Sequence, residues 1–262
     1  MTGVQTCALP ISPPDYIHGA DGLGNLPTRH ASTGRTDRTD PRHAAQWMVD
    51  AVRAAPGEIT LVAVGPLGNL ALALQLEPAL PRLVREVIVM GGAVHEPGNV
   101  SPVAEANIWN DPDAADRVFS ADWKLTMVGL DVTHRVVTPL HLFQRIAAHQ
   151  RHRATDTLLH AVAFYATFYS ARHPHIAPTP SCFAHDVLAF VYLVQPGLFK
   201  TVGGSVRVVT EGPDQGQTVF KPHPASALTS PTQVCLEVDA PACLALLEDT
   251  LAGDWLLYSQ RE

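Results

Sequence analysis

Polar side chains without a neighbouring cation crowd the stretch EPGNVSPVAEANIWNDPDAA, residues 96–115, which carries Asn99, Glu105, Asn107 and Asn110. An ionised carboxylate only accepts hydrogen bonds, whereas an amide both donates and accepts. The vicinal hydroxyls of a sugar need that mixture, and the lack of Lys or Arg argues against a phosphate on the sugar. Glu105 and Asn107 are two apart, so in an extended segment they share one side, and Ala104 and Ala106 leave room around them. With Asp186, preceded by His185, the set Asn99, Glu105, Asn107 and Asp186 would ring a neutral polyol. Each residue also has a plainer reading. Asp111 before Pro112 is a helix N-cap, and Asp186 sits where another could be. His185 fits a packed histidine. Asn99 after Gly98, like the GPLGN segment, fits ordinary turn chemistry.

These residues need elements to position them. Residues 58–65, EITLVAVG, read as a buried strand, and PLGNLALALQLEP then turns into a helix. Residues 85–92, REVIVMGG, form a second strand, DPDAADRVFS another helix, and residues 124–133, KLTMVGLDVT, a third strand. Such alternation implies right-handed crossovers and a parallel sheet covered by helices on both faces. Upstream, residues 28–40 read as a polar surface loop, and Asp40-Pro41 opens a helix with Asp40 as its cap. Residues 138–172 are helical, HDVLAFVYLVQP is a helix entered through His185-Asp186, and the tail adds two or three strands and a last helix. A β-hairpin beside the main sheet is the simplest placing for that tail. Ligands of open α/β sheets bind beyond the carboxyl ends of the strands, which is where GPLGN, the 91–107 segment and DVTH fall.

Composition narrows the functions. The 262 residues are 46% hydrophobic with a formal net charge of −7, ample for a core and without the basic stripe that nucleic acid requires. No apolar run reaches the length that spans a bilayer. Cys7, Cys182, Cys235 and Cys243 lack metal-type spacing and read as reduced thiols of a cytoplasmic protein. Residues 1–12, MTGVQTCALPIS, look like translated sequencing-adapter DNA and are set aside as a scar, leaving 13–262 as a single domain.

The motifs IHGADGLGN, LVAVGPLGNLALAL, VIVMGGAVHEPGNVSPVAEANIWNDPDAA, MVGLDVT and FAHDVLAFV run in the order found in the inosine–uridine-preferring nucleoside hydrolases. The resemblance covers roughly residues 14–252. It implies a Rossmann-like open sheet, mostly parallel, and hydrolysis of the N-glycosidic bond of ribonucleosides to ribose and free base, with one bound Ca2+. It further implies that Asn99 and Glu105 hold the 5′-hydroxyl end of ribose, Asn107 the lower hydroxyls, and Met90 a pocket wall. By the same resemblance Asp186 ligates calcium and touches the 3′-hydroxyl, and Val64 offers the metal its backbone carbonyl. His185 stands near the leaving base as proton donor or base contact, and His18 lies on a mobile entrance loop. The presence of His185 points toward an inosine–uridine or pyrimidine type, with Tyr169, His173 and His175 among the residues that would set base preference. A homo-oligomer is implied at full length.

Two departures stand out. The family opens with a strand ending in D-x-D-P-x-x-D-D, source of the other calcium carboxylates, a ribose contact and the general base, and nothing in these 262 residues matches it. The expectation is that this first strand is missing with the natural start, and that the chain is unstable and inactive. Ala106 also replaces a common aromatic, which loosens a pocket wall. A non-catalytic nucleoside- or sugar-binding protein is the alternative, and an ordinary α/β domain with caps and turns is a third reading.

Overall fold

The computed structural model describes residues 15–26, 40–149, 152–173, 176, 179–223 and 232–253. The 1–12 segment, residues 28–39 and His175 lie outside these. The described chain falls into two compact units, one of residues 40–134 and 185–238, the other of residues 15–26, 135–184 and 239–253. Among the described residues no helix is long and apolar enough to cross a membrane.

With elements numbered along the chain, the first unit is built on a six-stranded sheet in the order β1-β2-β3-β8-β6-β7. Strands β1 (Thr60–Ala63), β2 (Glu86–Met90), β3 (Leu125–Val128) and β8 (Thr232–Val238) run parallel. Strand β6 (Phe199–Val208) is antiparallel to β8, and β7 (Thr218–Pro222) to β6. Val87, Ile88, Val89 and Met90 are all buried, as are all four residues of β3. Continuous apolar burial, in place of alternation, is what a parallel strand covered on both faces requires. Helices α2 (Ala44–Ala54), α3 (Gly68–Leu76) and α6 (Pro112–Phe119) pack with the sheet into one core. Each large side chain there, such as Leu67, Leu125 or Met127, contributes on the order of 1.5–3 kcal/mol by leaving water.

The structure corrects several expectations. Residues 58–65 do not form a fully buried strand: among the described residues β1 lies at the edge of the sheet, paired with β2 alone, and its four residues are only half-buried. Helix α2 starts at Ala44, not at Pro41. Its cap is His43, whose Nδ1 accepts from the Ala45 N–H, while Asp40 is occupied by the backbone and guanidinium of Arg42. The third strand ends at Val128; Gly129 breaks it and α7 (Leu130–Thr133) follows. The expected tail hairpin is β6 with β7, which with β8 forms half of the main sheet instead of lying beside it. Asp111 caps α6 through a bond from the Ala114 N–H to its Oδ1, as its place before Pro112 predicts.

The second unit is mostly helical. Helix α8 (Leu140–His149) packs with α9 (Arg153–Arg172) and α11 (Ala240–Ala252) through Leu142, Phe143, Ile146, Leu158, Leu244 and Leu247. The short strands β4 (Val137–Pro139) and β5 (Ser181–Phe183) pair antiparallel, and nothing in their composition announced them. His18 ends a one-turn helix, α1 (Asp15–His18). Its ring stacks on Tyr165 of α9 at 5.2 Å, and burial there pushes its pKa below the usual histidine value.

Removing the α6 cap tests this reading of Asp111. Asp111→Ala is expected to cost about 1–2 kcal/mol in denaturant unfolding, and Asp111→Asn much less. Equal losses for the two would show that the carboxylate does something other than cap.

Candidate active site

The parallel strands β1, β2 and β3 end at Ala63, Met90 and Val128, and the polar segments follow from these ends. Glu105 organises the largest of them. It is the N-cap of α5 (Ala106–Asn110), and only 2% of it is exposed. Its Oε2 accepts three backbone N–H groups, from Gly92 at 3.0 Å, Asn107 at 3.0 Å and Ile108 at 3.2 Å. Oε1 takes none of the three. The sequence expectation of an extended 105–107 segment is therefore corrected: Glu105 and Asn107 meet through a helix turn, in which the cap side chain folds back over the N–H groups that follow it.

The amides are oriented with equal economy of partners. Asn99 Oδ1 accepts from the Ala106 N–H at 2.9 Å, so its NH2 is the end left for a ligand. Asn107 Nδ2 donates to the Met90 carbonyl at 3.2 Å and meets Met90 Sδ at 3.4 Å, leaving Oδ1 as its outward acceptor. Met90 itself is buried at the end of β2, where it holds Asn107. The site thus offers a carboxylate oxygen, an amide oxygen and an amide NH2, the donor–acceptor mixture that hydroxyl groups require.

His185 and Asp186 open α10 (His185–Val194), with His185 buried and Asp186 open to solvent. His185 Nδ1 lies 2.8 Å from Thr133 Oγ1, a contact that fixes the ring plane. The His134 ring stands 5.6 Å from that of His185, and His134 Nδ1 is 3.7 Å from Glu96. Val64, half-buried, directly follows β1.

Burial dominates the electrostatics of Glu105. Removal from water pushes its pKa up to about 7, against the opposing pull of three N–H donors, and the negative charge of Asp186 adds to the rise. Asp186 is itself raised, because its neighbours partly desolvate a carboxyl on an otherwise accessible residue.

Sequence reasoning did not single out Asp131, Thr133 or Thr218. Asp131 is buried and accepts the N–H groups of Val94, His95 and Glu96, and Thr218 bonds the N–H and carbonyl of Ala93. The DVTH segment at the end of β3 was the available signal for the first two. For Thr218, on a strand remote in the chain, there was none.

The family model described as inosine-uridine preferring nucleoside hydrolase matches residues 3–245. The chain belongs to this family. It is 35% identical over 246 residues to a probable uridine nucleosidase 1 of Oryza sativa subsp. japonica, covering 90% of this chain and 72% of that one. It is likewise 35% identical over 247 residues to an inosine-uridine preferring nucleoside hydrolase of Leishmania major, covering 90% and 73%. A solved plant nucleoside hydrolase superposes with a TM-score of 0.82 at 32% identity, over 91% of this chain and 74% of the other. The function that accompanies the nucleoside hydrolase family is hydrolysis of ribonucleosides, and the mixed, mostly parallel sheet with its covering helices agrees with a Rossmann-like α/β fold.

The calcium ion implied by the resemblance was tested against the donors. Calcium takes six to eight oxygen ligands. Among the described residues no group of three or more His, Cys, Asp or Glu gathers to hold a metal. Asp186 and the Val64 carbonyl alone do not fit that demand, so no step below passes through a metal.

The raised pKa of Glu105 has a thermodynamic consequence. Its folded value, about 7, exceeds the ordinary 4.5, so the folded chain holds the proton more tightly than the unfolded chain. The resulting stabilisation is complete below about pH 4.5 and is lost as pH rises to about 7, a change of about 3 kcal/mol at most. Glu105→Gln, a mimic of the protonated acid, should flatten the fall in stability between pH 5 and 7.5. Identical pH slopes for the two proteins would show that Glu105 is not the group responsible.

Proposed function

We propose that residues 90–107, with Asp186, form the ribose grip of a ribonucleoside N-ribohydrolase, in a single nucleoside hydrolase domain. The observation that carries this reading is the arrangement of three uncommitted groups, Glu105 Oε1, Asn107 Oδ1 and the Asn99 NH2, around the end of β2. Glu105 and Asn99 take the 5′-hydroxyl end of the sugar, Asn107 the lower hydroxyls, and Met90 backs them. No Lys or Arg stands among residues 96–115, which suits an uncharged nucleoside.

His185 is assigned to the leaving base. A departing base carries electrons away from the anomeric carbon and leaves faster if it gains a proton or a hydrogen bond as it goes. Thr133 holds Nδ1 and so orients the ring for that task. Asp186, adjacent in the chain, faces the sugar hydroxyls. The assignments of Ca2+, of Val64 as its carbonyl ligand and of His18 to the entrance rest on the family resemblance. So do a preference for inosine, uridine and other pyrimidine nucleosides and assembly as a homo-oligomer. A cytoplasmic setting agrees with Cys182, Cys235 and Cys243, which are buried and free.

The general base is a different matter. The acidic D-x-D-P-x-x-D-D cluster that would supply it does not occur in these 262 residues. Loss of such a base costs on the order of 10²–10⁴-fold in rate, so the chain is proposed to bind the sugar and turn over poorly. That absence is also what a non-catalytic nucleoside-binding protein would show; slow turnover above the uncatalysed rate marks the enzyme, and binding with none marks the binder.

The 262-residue chain is expected to hydrolyse inosine, uridine and cytidine at least about 100-fold more slowly than its Leishmania relative, with little further change on adding a chelator. Asn107→Ala should weaken ribose binding, measured by calorimetric titration, about tenfold. Brisk turnover by the chain would contradict the missing base, and unaltered ribose binding in the variant would contradict the grip.

A further inference from the structure

Residues 92–96 leave the end of β2 with five consecutive backbone N–H groups, and every one is taken by a side chain. Gly92 donates to Glu105 Oε2, Ala93 to Thr218 Oγ1 at 2.9 Å, Val94 to Asp131 Oδ2 at 2.8 Å, and His95 and Glu96 to Asp131 Oδ1 at 2.7 and 3.3 Å. The acceptors come from three elements: the cap of α5, strand β7 and helix α7. Thr218 closes a second bond by donating its hydroxyl to the Ala93 carbonyl. A loop held this way has its shape set by the completed fold and not by local turn chemistry.

The fit around it is close. The Gly92 carbonyl accepts the Leu130 N–H at 2.8 Å, and a Cβ added at Gly129 would lie 2.7 Å from that same oxygen. Gly92 has φ near +81°, and a Cβ there would meet Met127 Sδ and Thr218 Cγ2 at 3.0 Å. Ala104, beside Glu105, forms an isolated bridge with Gln217, the residue before Thr218. Thr218, at the start of β7, and Gln217 just before it therefore hold this segment at Ala93 and again at Ala104, on either side of Asn99.

We propose that Asp131 and Thr218 are positioning residues for the sugar site, holding residues 92–96 as a strap that fixes where the Glu105 carboxylate can sit. The strap supplies the Gly92 N–H, one of the three donors that turn Oε2 inward and leave Oε1 for a ligand. Asn99 follows three residues later and is tied to α5 by its own bond to Ala106. A shift of the strap would detach Gly92 from Glu105 and misplace both groups together. Neither Asp131 nor Thr218 need touch the sugar to do this. The proposal rests on the reading of Glu105 and Asn99 as ribose contacts.

The test combines amide hydrogen exchange with ribose titration on the 262-residue chain and three variants. Thr218→Val keeps the side-chain shape and removes both hydroxyl bonds, Asp131→Asn leaves one acceptor oxygen for three N–H groups, and Thr218→Ser restores the hydroxyl. Exchange at residues 92–96 should accelerate about tenfold or more in Thr218→Val and Asp131→Asn, while amides of β2 and β3 stay within about twofold. The ribose dissociation constant should rise about tenfold in both and return toward the parent value in Thr218→Ser.

Exchange that is unchanged at 92–96, or faster everywhere alike, would overturn the strap. Faster exchange at 92–96 with unchanged ribose affinity would overturn its positioning role. No ribose binding by the parent chain, with local exchange still accelerated in the variants, would overturn the sugar-site reading on which the role depends while leaving the bonds themselves confirmed.

Discussion

A carboxylate almost wholly withdrawn from water at the end of a parallel strand is the constraint on which the site depends. Burial alone would make the charged form of Glu105 costly, and three backbone N–H groups offset only part of that cost, so its pKa rests near neutrality. The three bonds converge on one oxygen. This asymmetry gives the carboxyl a fixed inner face and a free outer one. The same three donors would otherwise be unsatisfied groups at a helix start and a strand end, so the residue that faces the ligand also completes the local backbone.

The rest of the first unit serves to bring those donors together. The parallel register of β1, β2 and β3 sets their carboxyl ends side by side. Gly129 lets α7 approach the Gly92 carbonyl, and the antiparallel strands β6 and β7 extend the sheet until Thr218 reaches Ala93. His185 and Thr133 come from segments far apart in the chain and meet at 2.8 Å. A polar site can persist beside an apolar core here because almost every buried polar atom named above has a protein partner.

Much of this was legible in the sequence. The strands β2 and β3 show themselves as short β-branched runs, Asp111-Pro112 as a cap and helix start, and Asn99, Glu105 and Asn107 as a cation-free polar cluster. What escaped is instructive in physical terms. Glu105 read as part of an extended segment because periodicity does not reveal a side chain that bends back to cap its own helix. Asp40 before Pro41 carries every local mark of a cap, yet the Arg42 guanidinium occupies it and His43 caps α2 instead. Edge position left β1 half-buried although its composition is that of an interior strand. Thr218 was invisible because its partner is a backbone group, which carries no mark in the sequence, 125 residues away, and for Asp131 only the DVTH segment gave a signal.

The central claim is that Glu105, held by one oxygen, presents the other to the sugar. A crystal structure of the chain with ribose tests it most directly. The account predicts Glu105 Oε1 and Asn107 Oδ1 both within about 3.2 Å of ribose hydroxyls, with the three bonds to Oε2 intact. Ribose bound with Glu105 Oε1 beyond hydrogen-bonding reach of every hydroxyl would contradict it.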